Sequence, residues 1–118
     1  MPGRCTPCWR TREARFAAFG YGANGGLAGL VEASLRERPD FLPPDRMGYV
    51  EALYVAPDHR GKGVGKSLLE AAERWASTCG CEIMGSDAEV SNQAGIEIHQ
   101  ALGYREAERI VRFEKALA

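Results

Sequence analysis

The plainest chemistry in the chain lies in the segment Arg60-Gly61-Lys62-Gly63-Val64-Gly65-Lys66-Ser67. Glycines at alternate positions leave the backbone bare, so successive N–H groups can turn into one concavity. The residues that follow have helical periodicity, and a helix N-terminus adds the positive end of its dipole. Arg60, Lys62 and Lys66 add formal charge of the same sign. Such a turn suits a phosphate or pyrophosphate. Two familiar phosphate loops do not fit. A Walker A loop requires glycine where Arg60 stands, and a Gly-x-Gly-x-x-Gly fingerprint begun at Gly61 requires glycine where Lys66 stands. An ordinary glycine-rich turn is the bland alternative.

Three other groups could react or bind. Glu51 is the one acid in the apolar run Gly48 to Ala56. A buried carboxylate is costly unless it has a partner or a task. Burial would raise its pKa toward neutrality, which suits a general base. On a strand with one wet face the same residue would be a solvated glutamate. His99 can exchange a proton, since an imidazole titrates at about pH 6.5, or it can simply pack. Cys5-x-x-Cys8 and Cys79-x-Cys81 invite a zinc reading. A closed zinc site needs four suitably spaced ligands, and the second pair has the wrong spacing. The expectation is therefore no metal site, two small buried side chains and two thiols in an irregular segment. Four free thiols suit a reducing cytoplasm.

The elements that must position these groups follow from periodicity. Residues 1–13 show none and read as an irregular leader, followed by one domain over 14–118. Ala14 to Tyr21 and Gly26 to Arg36 are strand-like runs joined by Ala23-Asn24-Gly25, and an Asn-Gly pair between apolar runs marks a hairpin. Arg38 to Arg46 contains three prolines and reads as a loop. Gly48 to Ala56 reads as a central strand buried on both faces. Val64, Leu68, Ala72, Trp75 and Cys79 form one apolar helical stripe, with Gly80 as its stop. Cys81 to Gly85 reads as a short strand. Ser91 or Asn92 can cap a second helix ending at Leu102, with Gly103 as its stop. Ile110, Val111 and Phe113 read as a final strand. The predicted order, β-β-β-α-β-α-β, implies an α/β (α+β) mixed sheet with parallel pairing late in the chain.

Composition narrows the field without naming a function. At 118 residues there is room for one small domain. Lys and Arg total 15 and Asp and Glu 16, so nucleic acid is not the expected partner. The longest uncharged stretch, Phe16 to Val31, is interrupted by glycines and Asn24 and does not read as a membrane span.

Arg60, Gly63 and Gly65 fit the pattern Arg-x-x-Gly-x-Gly. This resembles the acetyl-CoA pyrophosphate loop of the GNAT superfamily of N-acetyltransferases. The preceding Leu53-Tyr54-Val55-Ala56-Pro57, the following helix, and Asn92 with Leu102-Gly103-Tyr104 are similar to that superfamily's pattern. Tyr49-Val50-Glu51-Ala52-Leu53-Tyr54-Val55, Glu73-Arg74-Trp75-Ala76, Ser86-Asp87, His99 to Tyr104 and Glu106 to Val111 resemble the aminoglycoside 6′-N-acetyltransferases. The resemblance runs from about Arg15 to the C-terminus, and the part around Glu108-Arg109 is the most family-specific. Superfamily members place a strand and one or two helices before the first hairpin. Here Ala14 already enters that hairpin, so a GNAT-like sheet lacking the usual N-terminal strand and helices is expected, from a truncated or replaced N-terminus.

The resemblance implies acetyl-CoA as co-substrate and the amino group of a polycationic aminoglycoside, at the 6′ position, as acceptor. It implies that Arg60, Gly61, Lys62, Gly63, Val64, Gly65 and Lys66 hold the pyrophosphate, that Leu53, Tyr54 and Val55 pair with the pantetheine arm, and that Asn92 joins the cofactor site. A backbone N–H near Tyr54 or Val55 would receive the oxyanion. Glu51 is implied as the acid that takes the amine's proton, directly or through water, or that anchors the ammonium. His99 stands where many members have a tyrosine that protonates the departing thiolate; a thiol of pKa about 8.5 also leaves without help. Asp87 and Glu108 match acidic positions of the family and are preferred for substrate contact with Glu51. Glu89 and Glu106 fit ordinary surface charges as well. A homodimer is expected, because a shortened sheet leaves an edge strand and apolar surface to cover. The competing readings are a GNAT enzyme for another amine (a polyamine or a protein), a non-catalytic acyl-CoA-binding protein, and a zinc-binding interaction module.

Overall fold

Two β-rich runs with alternating polarity open the described chain. The computed structural model describes residues 15–37 and 46–118. The expected leader, Cys5, Cys8 and nearly all of the proline-rich loop lie outside them. The chain divides into two units, Met1–Asp87 and Ala88–Ala118.

In the first unit, β1 (Arg15–Tyr21), β2 (Leu27–Glu37) and β3 (Arg46–Val55) form an antiparallel meander, and β4 (Met84–Gly85) joins β3 in parallel, in the sheet order β1-β2-β3-β4. The predicted hairpin forms where Asn24-Gly25 stands. The Gly22 N–H donates to the Gly26 carbonyl at 2.8 Å, and Asn24 Oδ1 accepts from the Gly26 N–H at 2.9 Å. Gly25 has φ 82°, which glycine adopts without strain. A short 3-10 turn, Pro57–His59, ends β3 before helix α1 (Val64–Thr78).

Helix α1 lies on one face of the sheet. Leu68, Leu69, Ala72, Ala76 and Cys79 are buried there with Val31, Ala33 and Val50. The predicted stripe was broadly right, though Leu69 and Ala76 are more fully buried than its edge residues Val64 and Trp75. Trp75 stacks on Phe16 with ring centroids 5.5 Å apart, fixing the outer strand against the helix. Gly48 permits the close approach of β3 and α1. A Cβ there would lie 2.6 Å from the Ala76 Cβ and 2.7 Å from the Met84 sulfur.

Two predicted elements differ. The strand over Cys81 to Gly85 shrinks to its last two residues. The expected final strand at Ile110, Val111 and Phe113 is absent, and these residues are 73%, 76% and 87% exposed. β-branched and aromatic residues favour a strand only where a ladder and a packed face receive them, and this segment has neither. The second unit contributes α2 (Gln93–Ala101), capped as expected by Asn92, whose Oδ1 accepts from the Gly95 N–H at 3.0 Å.

A third difference concerns β3, which is not buried on both faces. Val50 is buried against α1, but Glu51 and Tyr54 are exposed on the other side. Helix α1 covers one face, and the opposite face is wet.

Candidate active site

The end of β3 and the start of α1 make the first half of the site. β4 pairs with β3 only at Gly48 and Tyr49. From Val50 to Val55, that edge of β3 has no strand partner among the described residues. The Ala56 N–H donates to the Ala28 carbonyl at 2.7 Å, on the β2 side. By strand alternation the Tyr54 N–H also turns toward β2, and those of Leu53 and Val55 turn to the open edge. Of the two expected oxyanion donors, the geometry therefore favours Val55 over Tyr54. Arg60 closes the end of this edge, its Nε–H donating to the Val55 carbonyl at 3.2 Å.

Directly after Arg60, Gly61 and Gly63 adopt φ 75° and 84°. Gly63 is the N-cap of α1, with no side chain capping the first turn and no acidic residue in it. The first helical amides are thus turned outward with their dipole uncompensated, which is what an anionic phosphate requires. A Cβ at Gly61 or Gly63 would meet nothing within 4 Å. These glycines are needed for the left-handed backbone and not for space. Lys62 and Lys66 flank the turn.

The second half lies on the wet face of β2 and β3. Ala33 pairs with Val50 and the adjacent Glu32 with Ala52, so Glu51 is the extra residue of a β-bulge. Bulges re-aim side chains, and this one turns Glu51 onto the face of Ser34 and Arg36. Ser34 Oγ–H donates to Glu51 Oε2 at 2.5 Å. Arg36 grips both oxygens, Nε–H to Oε2 at 2.9 Å and Nη2–H to Oε1 at 2.7 Å. The Arg36 guanidinium lies 3.8 Å from the centroid of the Tyr49 ring. The Tyr49 hydroxyl in turn donates to Asp87 Oδ2 at 2.7 Å. Burial, and then the bond to Asp87, push this phenol up to about 12, so it stays a donor. An open groove of about 820 Å³ runs along this face, lined by Glu32, Ser34, Arg36 and Glu51 among others.

These contacts reverse one expectation. The Glu51 carboxyl is held below the ordinary carboxylate range and not raised toward neutrality. The hydrogen bonds from Arg36 are the largest cause, partial burial opposes them, and Ser34 and the charge of Arg15 assist. The side chain is 33% exposed, so desolvation is too weak to win. The sign of the pH dependence follows. A carboxyl depressed in the folded state contributes stability above the ordinary carboxylate range, and that contribution disappears as pH falls through its folded value. The stability difference between the parent and Glu51→Gln is expected to hold at neutral pH and to shrink as pH falls below the ordinary carboxylate range, measured by urea unfolding. A difference that grows on acidification would contradict the assignment.

The sequence reading missed Ser34, Arg36, Tyr49 and Glu32. The signal was present as alternation, since Glu32, Ser34 and Arg36 interleave with apolar Val31, Ala33 and Leu35. Glu51 and Asp87 are brought together through Tyr49 and Arg36. Asn92, His99 and Glu108 belong to the second unit. There His99 Nδ1 donates to the Gly95 carbonyl at 2.6 Å and its ring meets Tyr104 edge-on. Glu108 is exposed, and Glu106 pairs with Arg109. No cluster of metal-ligating side chains occurs among the described residues, where Cys79 and Cys81 form no disulfide.

The chain is also similar to known proteins. Residues 4–104 match the acetyltransferase (GNAT) family.

The chain belongs to the GNAT acetyltransferase family.

Within that family it is similar to the aminoglycoside N(6′)-acetyltransferase type 1 of Acinetobacter genomosp. 13, at 38% identity over 87 residues, 73% of this chain and 60% of that protein. It is 34% identical over 102 residues to the enzyme of the same name from Salmonella typhimurium, covering 84% of this chain and 69% of the other. The chain thus spans about six- to seven-tenths of the length of these curated relatives. The structure of AAC(6′)-Iy in complex with the bisubstrate analog CoA-S-monomethyl-acetylneamine superposes with a TM-score of 0.78 at 28% identity, over 94% of this chain and 75% of that one. The GNAT assignment accords with the α/β mixed sheet and with the turn at Arg60.

Proposed function

We propose that the chain is an acetyl-CoA-dependent N-acetyltransferase acting on the 6′ amine of an aminoglycoside. The observation that carries this reading is the end of β3, where open-edge amides of Leu53 and Val55 run into the outward amides at Gly63. A peptide-like pantetheine arm suits the first and a diphosphate the second. The names of the relatives and the CoA-aminoglycoside analog bound to a similar protein support the choice of acceptor.

Acetyl-CoA supplies an acyl group on a good leaving group. A C–N bond forms to the acceptor amine as the C–S bond breaks, and the released thiolate ends as the thiol by taking a proton. In this reading the Val55 N–H donates to the carbonyl oxygen as it gains charge. Glu51 receives the acceptor's ammonium and takes its proton, directly or through water. Asp87 adds a second negative charge on the same face. The roles expected of Asn92 (cofactor contact), His99 (protonation of the thiolate) and Glu108 (substrate contact) are supported by the family resemblance alone.

The test is thiol release from acetyl-CoA with kanamycin or tobramycin as acceptor. Release well above the acceptor-free rate supports the reading, as would resistance to the same drug in cells expressing the chain. No release with any aminoglycoside, but release with spermidine or a peptide amine, would transfer the activity to another amine. Tight CoA binding without turnover on any amine would leave a non-catalytic acyl-CoA-binding protein.

A cytoplasmic location fits the reduced state of Cys79 and Cys81, which form no disulfide among the described residues, and no helix among those residues is long and apolar enough to cross a membrane. A homodimer is part of the same proposal. Among the described residues β1 ends the sheet, and Phe19 and Tyr21 on it are 55% and 67% exposed, surface that a second copy can bury. Light scattering is expected to give twice the chain mass, and a monomer at all concentrations would exclude the dimer.

A further inference from the structure

We propose that Arg36 is a built-in competitor for the acceptor amine: its guanidinium fills the cation subsite formed by Glu51, Ser34 and the face of Tyr49, and an amine enters by displacing it. The inference rests on the reading of Glu51 as the ammonium-binding carboxylate and adds a residue that sets which amines succeed.

The geometry is that of a bound cation. Two parallel N–H bonds of 2.9 and 2.7 Å occupy both oxygens of Glu51, as in a guanidinium–carboxylate fork. The plane rests 3.8 Å above Tyr49, the arrangement by which aromatic faces bind cations. The same tyrosine is held in place by its bond to Asp87. Everything that would recognise an ammonium is therefore present, and the chain's own cation engages it. The Arg36 side chain is 47% exposed, it sits one residue from the end of β2, and its flexible stem can carry the head into water. An exposed pair of this kind is weak enough to exchange.

Competition of this kind selects among acceptors. A single ammonium gains about what Arg36 gives up, and it must also lose its own freedom. A polycation replaces the guanidinium at Glu51 and finds further carboxylates on the same face, at Glu32 along the groove and at Asp87 beyond Tyr49. Arg36 thus sets a threshold that a single ammonium barely clears and a polycation clears through its added contacts.

Binding of n-butylamine, spermidine and kanamycin to Arg36→Gln and to the parent, measured by calorimetry without acetyl-CoA, tests this. Removing one partner of an exposed charge pair should tighten binding by up to about fivefold, for the monoamine and for kanamycin alike. The gain should vanish in the double variant Arg36→Gln/Glu51→Gln. Added n-propylguanidine should compete with the amine in Arg36→Gln more than in the parent. Equal or weaker binding in Arg36→Gln would overturn the proposal and make Arg36 a residue that orients Glu51. A gain that survives loss of Glu51 would overturn it too. Tighter amine binding without acetylation of any aminoglycoside would uphold the role of Arg36 and reject the enzymatic reading instead.

Discussion

Alanine in place of Glu51 is expected to lower aminoglycoside acetylation by about 10²–10⁴-fold, the usual span for a proton-transfer group. The carboxylate is one of two on the wet face linked through Arg36 and Tyr49, and the bulge in β3 points it into the groove. Its low-lying pKa weakens it as a base while Arg36 is engaged. An ammonium that displaces the guanidinium brings Glu51 a proton that can be transferred, which arginine does not give up. The steady-state constants divide the two roles. A fall in kcat identifies proton transfer, and a rise in KM identifies anchoring of the ammonium. Glu51→Gln should lose the same activity while keeping a hydrogen-bonding partner for Ser34 and Arg36. Parent-like kcat/KM in Glu51→Gln would remove this residue from the mechanism.

Valine at Gly63 should weaken CoA binding by about ten- to a hundredfold, measured by calorimetry. The glycine holds φ at 84°, a region a β-branched residue enters only at about 1–3 kcal/mol. No neighbouring atom obstructs the new side chain, so the turn can relax out of the left-handed conformation. The amides at the start of α1 then lose their common aim, and the loss falls on the anion more than on the fold. Gly63→Asn separates strain from bulk, because asparagine tolerates positive φ. It should bind CoA several-fold better than the valine variant. Equal affinity in the parent, asparagine and valine proteins would show that the turn does not hold the diphosphate.

How far the sequence could be read depended on whether the signal was local. The Asn24-Gly25 hairpin, the glycine turn after β3, the helix stop at Gly80 and the Asn92 cap are each set by a few adjacent residues, and each stands where expected. The C-terminal strand was read from the same kind of apolar pattern and failed. A strand depends on a partner ladder that lies far away in sequence, whereas a cap depends on its own next three amides.

Residue type and spacing by themselves determined that the chain carries a glycine-rich turn between a strand and a helix, and that Glu51 lies on the strand before it. Only the tertiary structure decided what state that carboxylate is in. Helix α1 covers one face of the sheet, and the bulge turns Glu51 to the other. There it meets Ser34 and Arg36 of a neighbouring strand, 17 and 15 residues away. Charge state is set by whatever comes within a few ångströms, and strand pairing chooses those neighbours without regard to their distance along the chain.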